Sequence, residues 1–196
     1  MERSTGQNID QRPFSRASTA VGIVLMTGLT AAGAQVAIPL PFTPVPLTLQ
    51  VLVVVLSGFL LGARGGASAQ LSYLILGAVG APVFAGFTGG LGHMLGLTGG
   101  YLFSYPLAAA AAGLAFPTVL AGTARWRVLA TAITAGLFGL AVIYTLGTAW
   151  LAFQMQLPAG EALAQGVLPF VAVDVAKVVL AALIAAAVPG LRDRYF

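Results

Sequence analysis

Six long apolar segments, broken only by short polar turns or by runs rich in glycine and proline, leave this chain few ways to fold. They cover about residues 17–37, 47–62, 67–83, 100–121, 128–152 and 166–188. A helix crossing lipid needs about 20 apolar residues, within a range of about 17–25, so the second segment is short but usable. Inside lipid every backbone polar group must be bonded internally, which favours helices over loops or open strands. Composition agrees: 59% of the residues are hydrophobic and 7% are charged, against roughly 25% charged in a soluble domain. The mean hydropathy is +0.97. So little polar surface cannot cover a water-soluble globule of 196 residues. The predicted fold class is an all-α integral membrane protein with six transmembrane helices.

The arginines orient it. Arg3, Arg12 and Arg16 precede the first segment, Arg64 lies between the second and third, Arg125 and Arg127 between the fourth and fifth, and Arg192 and Arg194 follow the sixth. With six crossings all of them fall on one side, as the positive-inside rule requires, which places both termini in the cytoplasm. The expected organisation is a cytoplasmic tail at 1–16, a membrane domain at 17–190 and a second tail at 191–196. A re-entrant hairpin of segments two and three would keep the same balance of charge. No cleavable leader is expected, because the first sixteen residues are polar and the apolar run after them is long enough to span. The net charge of +4 comes from scattered arginines. It forms no aromatic-interleaved basic stripe, so nucleic acid is excluded as a partner. The absence of cysteine excludes disulfides and thiolate chemistry.

The loops on the arginine-poor side are longer and unlike the inward turns. The first, residues 38–50, carries Pro39, Pro41, Pro44 and Pro46, which forbid a continuing helix and hold the chain extended. The second, residues 85–101, carries Gly86, Gly89, Gly90, Gly92, Gly96, Gly99 and Gly100, and so can bring bare backbone close to a ligand or a neighbouring helix. The third, about 153–165, is amphipathic and is expected to lie at the membrane surface as a lid.

Against this apolar background Asp174 and Lys177 stand out. Lys177 is the only lysine in the chain. A charge near the centre of a lipid-embedded helix costs about 2.5–3.5 kcal/mol on insertion scales, so two such residues mark a functional site by default. The i, i+3 spacing puts them on one helix face. They form either a ligand site or a self-neutralising ion pair that joins helices. Their place in the outer half of segment six, five to eight residues after Pro169, suits a pocket opened to the outer loops. A proton relay across the membrane would need an acidic or histidine partner in another segment, and none is present.

Gln50 opens segment two and either bonds a ligand's polar groups or caps the segment. Tyr101 follows a Gly-Gly turn expected to expose its ring, whereas Tyr105 reads as an ordinary interfacial tyrosine. His93 is the sole histidine and has no companions for a metal site, so it reads as a loop residue. Gly90-Leu-Gly-His93 is only superficially like a phosphate-binding loop, since the lysine such a loop needs is missing. Small residues at four-residue spacing recur in segment one, as Ser18 and Gly22, Gly28 and Ala32, and Gly33 and Ala37. They suit close helix packing or docking of a second membrane subunit. With no nucleotide-binding motif, uphill transport would need either a separate ATPase or an ion gradient. No nucleophile–base arrangement points to an enzyme.

Taken together, Ala37-Ile-Pro-Leu-Pro41, Val45-Pro-Leu-Thr-Leu-Gln50, Thr98-Gly-Gly-Tyr-Leu102 through Tyr105-Pro106, and Pro169-Phe-Val-Ala-Val-Asp-Val-Ala-Lys177 resemble the BioY proteins. These are the biotin-binding substrate-specific (S) components of energy-coupling factor transporters. The resemblance covers nearly all of residues 17–190. It implies a six-helix bundle in a bacterial plasma membrane with a biotin pocket near the outer face, and no cofactor beyond biotin as the transported ligand. It also implies partners: a transmembrane coupling protein, contacted through small residues of the first helix, and two ATP-binding-cassette ATPases, with a homo-oligomer also compatible. The family's polar ligand residues carry over onto Gln50, Tyr101, Asp174 and Lys177, and Thr48 and Gly90 complete the candidate set. Biotin's ureido ring offers two N–H donors to Asp174. Lys177 can serve the ureido oxygen or the carboxylate. An ion-coupled transporter of a small organic anion, with Asp174 carrying the proton, is the alternative.

Overall fold

The computed structural model describes residues 16–115 and 125–187. The two tails, with Arg3, Arg12, Arg192 and Arg194, and the end of segment four at 116–121 lie outside the described residues. The chain forms helix α1 (Arg16–Gln35), strands β1 (Ala37–Leu40) and β2 (Thr43–Thr48), and helix α2 (Gln50–Ala78). It continues as α3 (Leu91–Met94), α4 (Gly99–Ala115), α5 (Arg125–Met155), α6 (Ala159–Gly166) and α7 (Val171–Ala187). It is mostly helical. α1, α2 and α5 are long and apolar enough to cross a membrane, and α6 with α7, bent by 51° at their junction, would make a fourth such element. The outward surface is apolar, with Val24, Val79, Leu107, Phe138 and Leu183 exposed among others, as expected where lipid is the solvent.

Segments two and three are the two arms of α2. Gly62, at φ 70 and ψ 178, interrupts the helix, in a region that only glycine enters freely. A straight helix would hold Gln50 and Tyr73 about 34 Å apart at 1.5 Å per residue. Instead Gln50 Nε2 donates to the Tyr73 hydroxyl at 2.8 Å, and Gln70 Nε2 to the Ser57 hydroxyl at 3.1 Å. The arms therefore run antiparallel. They approach so closely at Gly66 that an added Cβ would lie 2.9 Å from the Gly58 Cα. On the other side of Gly58 the backbone of α4 is as close, since an added Cβ would strike the Ala109 carbonyl and stand 3.0 Å from the Gly113 amide. Ala108, Ala109 and Ala112 are fully buried there. α5 closes on α4 in the same manner, with Gly139 against the Ala108 carbonyl. Small residues thus let these helices touch backbone to backbone.

Other boundaries differ from expectation for local reasons. α1 stops at Gln35, not 37, because Ala37 pairs with Thr48 in an antiparallel hairpin that continues as Ile38 with Leu47 and Leu40 with Thr43. The proline-rich loop is therefore extended, as expected, and it is also paired. α5 runs on to Met155, into the stretch expected to be a lid. The amphipathic helix begins only at Ala159, after Pro158 in extended conformation.

The backbone contacts around Gly58 give a direct test. Gly58→Ala should lower the thermal midpoint of the detergent-solubilised chain by several degrees, because overpacking costs about 1–3 kcal/mol. Gly28→Ala, where an added Cβ meets nothing within 4 Å, should leave the midpoint unchanged or raise it. An equal fall at both positions would refute the close approach of α2 and α4.

Candidate functional site

At the end of the bundle away from Gly62, β2, the 85–98 loop and the facing ends of α4, α5 and α7 surround a cavity of about 450 Å³. That lies within the usual range of about 300–1,000 Å³ for small-molecule sites. Asp174 and Lys177 form part of its wall. Asp174 stands in the first turn of α7, where the helix dipole favours a carboxylate. Its Oδ1 accepts from Lys177 Nζ at 2.7 Å, and its Oδ2 accepts from the Tyr144 hydroxyl on α5 at 2.8 Å. Lys177 Nζ also donates to the Thr48 carbonyl at the end of β2. Both charged residues are buried. One pair of side chains thus joins α7, α5 and the hairpin while facing the cavity, so it is an ion pair and a cavity wall at once.

Gln50 lies beside it. Its Oε1 accepts from the Thr48 hydroxyl at 3.0 Å and its Nε2 from above holds Tyr73. The Tyr73 hydroxyl donates in turn to the Val83 carbonyl at 3.2 Å. From the end of α1, Gln35 Nε2 donates to the carbonyls of Val83 and Phe84, and Gln35 Oε1 accepts from the Phe87 amide at 2.9 Å. The glycine-rich loop is therefore tied to α1 and α2. Its far end is tied to α5, where Trp150 Nε1 donates to the Gly96 carbonyl at 2.9 Å.

Lys177 uses two of its three N–H donors, and each Asp174 oxygen has accepted one bond. Gln50 Nε2 keeps one N–H after Tyr73. The wall can therefore add one donor at Lys177, one at Gln50 and acceptor capacity at Asp174 toward a ligand without breaking a bond. Val51, Leu102, Ile143 and Phe170 supply apolar lining.

The cavity brings together five of the six candidates: Thr48, Gln50, Tyr101, Asp174 and Lys177. Gly90 is outside it. Its amide donates to the Gly77 carbonyl at 2.7 Å and its φ of 89 turns the chain there, while Gly92, His93 and Gly96 of the same loop do line the cavity. The ring of Tyr101 is buried, not exposed. The Gly-Gly before it begins α4, and an added Cβ at Gly100 would overlap Trp150. The Tyr101 hydroxyl donates to the Gly166 carbonyl at 2.9 Å, tying α4 to the end of α6. Tyr105 is buried in the cavity wall instead of lying at the interface. Tyr144 was not foreseen. Its signal in the sequence was the sole tyrosine of segment five, away from the belt where tyrosines usually sit. Among the described residues no group of acidic, histidine or cysteine side chains is placed to hold a metal.

The model of the BioY family matches residues 6–194. The chain is 43% identical over 168 residues to the probable biotin transporter BioY of Pyrococcus horikoshii, covering 86% of this chain and 94% of that protein. It is 42% identical over 161 residues to the biotin transporter BioY of Thermotoga maritima, covering 82% and 89%. Its fold is similar to the crystal structure of the S-component for biotin from an ECF-type ABC transporter. The TM-score is 0.78 at 26% identity, covering 87% of this chain and 89% of that one.

The buried pair makes a stability prediction. Lys177→Met or Asp174→Asn alone leaves a lone charge in the wall and should cost about 3–5 kcal/mol, whereas the double variant should recover much of the loss. Thermal unfolding of the four proteins without ligand checks this, and simple additivity would refute the coupling.

Proposed function

The chain belongs to the BioY family, and we propose that it is the biotin-capturing S component of an energy-coupling factor importer. The observation that carries this reading is the Asp174–Lys177 pair, buried in the wall of a largely apolar cavity and left with spare hydrogen-bonding capacity. Asp174 would accept the ureido N–H groups, and Lys177, Gln50, Thr48 and Tyr101 would complete the polar contacts. The thioether ring and alkyl tail would pack on Val51, Leu102, Ile143 and Phe170. A few oriented polar groups in an apolar pocket are the usual design of a tight small-molecule site.

In the membrane we propose six crossings, each arm of α2 making one, with both termini on the arginine-rich side. The antiparallel course of the arms supports this count, and the charge bias of the turns supports the orientation. The cavity would then open at the outer face, and the hairpin and the 85–98 loop would close over the ligand. Coupling to a transmembrane protein and two ATPases would supply the energy. For the docking surface α1 narrows the choice among its small residues. Gly22 packs on Leu61, and Gly33 on the backbone at Leu49 and Gln50. Gly28 and Ala32 face outward beside the exposed Val24 and Leu25, so they are the pair we assign to the coupling protein. The ion-coupled alternative finds no support in a carboxylate already held by Lys177 and Tyr144.

Calorimetric titration of the purified chain with biotin tests the reading. A saturable one-site isotherm is expected, weakened at least tenfold by Asp174→Asn and by Lys177→Ala, each removing a charge-assisted bond of about 1.5–3 kcal/mol. Absence of binding, or binding indifferent to both substitutions, would sink it.

A further inference from the structure

Two side chains in the cavity wall can carry positive charge, Lys177 and His93. The charge of Lys177 is matched by Asp174 at 2.7 Å, so the lining is neutral when His93 is neutral. A carboxylate entering it would lose hydration without gaining a net counter-charge, which is unfavourable. His93 is the lining group that can supply one.

Its geometry fixes the tautomer. The Thr88 hydroxyl donates its proton to the Ala85 carbonyl at 2.9 Å, so toward His93 Nδ1, 3.0 Å away, it acts as acceptor and Nδ1 carries the hydrogen. The lone pair of the neutral ring is then on Nε2, which has no hydrogen-bond partner among the described residues. The ring is held flat on the fully buried Phe84, with centroids 5.3 Å apart and planes at 21°. Phe84 packs edge-on against Tyr73 at 5.5 Å. A fixed ring with a free Nε2 becomes a charged donor on protonation without having to reorient.

On the biotin-binding reading above, we propose that His93 takes up a proton as biotin binds and pairs through Nε2–H with the ligand's carboxylate, so that capture tightens as pH falls. The ligand's ureido ring is thereby placed at Asp174 and Lys177 and its carboxylate at the loop. Burial pushes the empty-site pKa of His93 below its ordinary value, so the ring is neutral at neutral pH, and a bound carboxylate raises it. Affinity is therefore flat above the bound-state pKa, rises as pH falls between the two values, and is flat again below the empty-state pKa. Each unit of separation between the two is worth about tenfold in affinity. The other titratable groups of the lining are Asp174 and Lys177 on α7, Tyr101 and Tyr105 on α4 and Tyr144 on α5, with Tyr73 of α2 behind Phe84. The hairpin contributes none, and Glu161 of α6 is exposed outside the lining.

The test is calorimetry on the full chain in lipid nanodiscs, from about pH 5.5 to 8, where biotin's own carboxylate stays ionised. Biotin and its carboxamide are titrated in buffers of different ionisation heat. Biotin should bind the native chain about tenfold more tightly at the acid end, with net proton uptake. The carboxamide should show neither effect, and His93→Gln should flatten the biotin profile. A flat profile for biotin, or a slope that survives in the carboxamide or in His93→Gln, overturns the proposal. Failure of both ligands to bind at any pH refutes the biotin reading itself.

Discussion

A lysine ammonium on an apolar helix face cannot be hydrated by lipid, so the elements around Lys177 are arranged to supply what water would. α7 provides the counter-charge one turn earlier, as Asp174 at 2.7 Å. The hairpin provides the Thr48 carbonyl, and α5 holds the far carboxylate oxygen through Tyr144. Each contact comes from a different part of the chain, so meeting the need of one side chain holds three elements together. It also explains why an extended proline-rich segment is found at the bundle's mouth. A helix there would bond its own carbonyls, whereas the end of a short hairpin leaves the Thr48 carbonyl available to the amine.

Side-chain size is unevenly distributed along the bundle. Toward the Gly62 end the α2, α4 and α5 backbones meet at Gly58, Ala109, Gly113 and Gly139, where a single added methyl group would collide. Toward the other end the same helices carry Tyr101, Tyr105 and Tyr144, with Phe170 from the turn before α7. α4 and α5 stay close at this end too, where an added Cβ at Gly100 would strike the Leu146 carbonyl, and the aromatic rings line the space beside them. Glycine thus allows close approach at both ends of the bundle, and the aromatic groups line the cavity.

Much of this was legible in the sequence, because lipid imposes strong rules. Apolar length located the described ends of the long helices to within about five residues, though it split α2 into two segments. The expense of an intramembrane charge singled out Asp174 and Lys177, and four prolines announced an extended first loop. What was not legible depended on contacts between distant segments. Nothing local says that Tyr144 meets Asp174, thirty residues away, or that Gly99 and Gly100 accommodate Trp150 and so bury Tyr101 when exposure was expected. Gly90 shows the same limit from the other side. A glycine-rich loop is visible as composition, but which of its glycines face a ligand and which turn the chain is decided by the bond from Gly90 to Gly77.

The hydrogen bonding of the wall bears on how selective such a site can be. Among the described residues no buried side-chain nitrogen or oxygen lacks a hydrogen-bond partner. A site discriminates most sharply on polarity when a wrong ligand leaves its own buried groups unpaired. Here Lys177 and Gln50 each keep one N–H beyond their bonds to Asp174, Thr48 and Tyr73, so a ligand without an acceptor at those points leaves them unpaired, whereas one lacking an N–H toward Asp174 forfeits a bond and strands no protein group. On that arrangement, polar discrimination would fall on a ligand's acceptors more than on its donors, and shape would supply the rest. Two of the lining rings are held by their own bonds, Tyr101 to the Gly166 carbonyl and Tyr144 to Asp174, and cannot easily move to suit another outline.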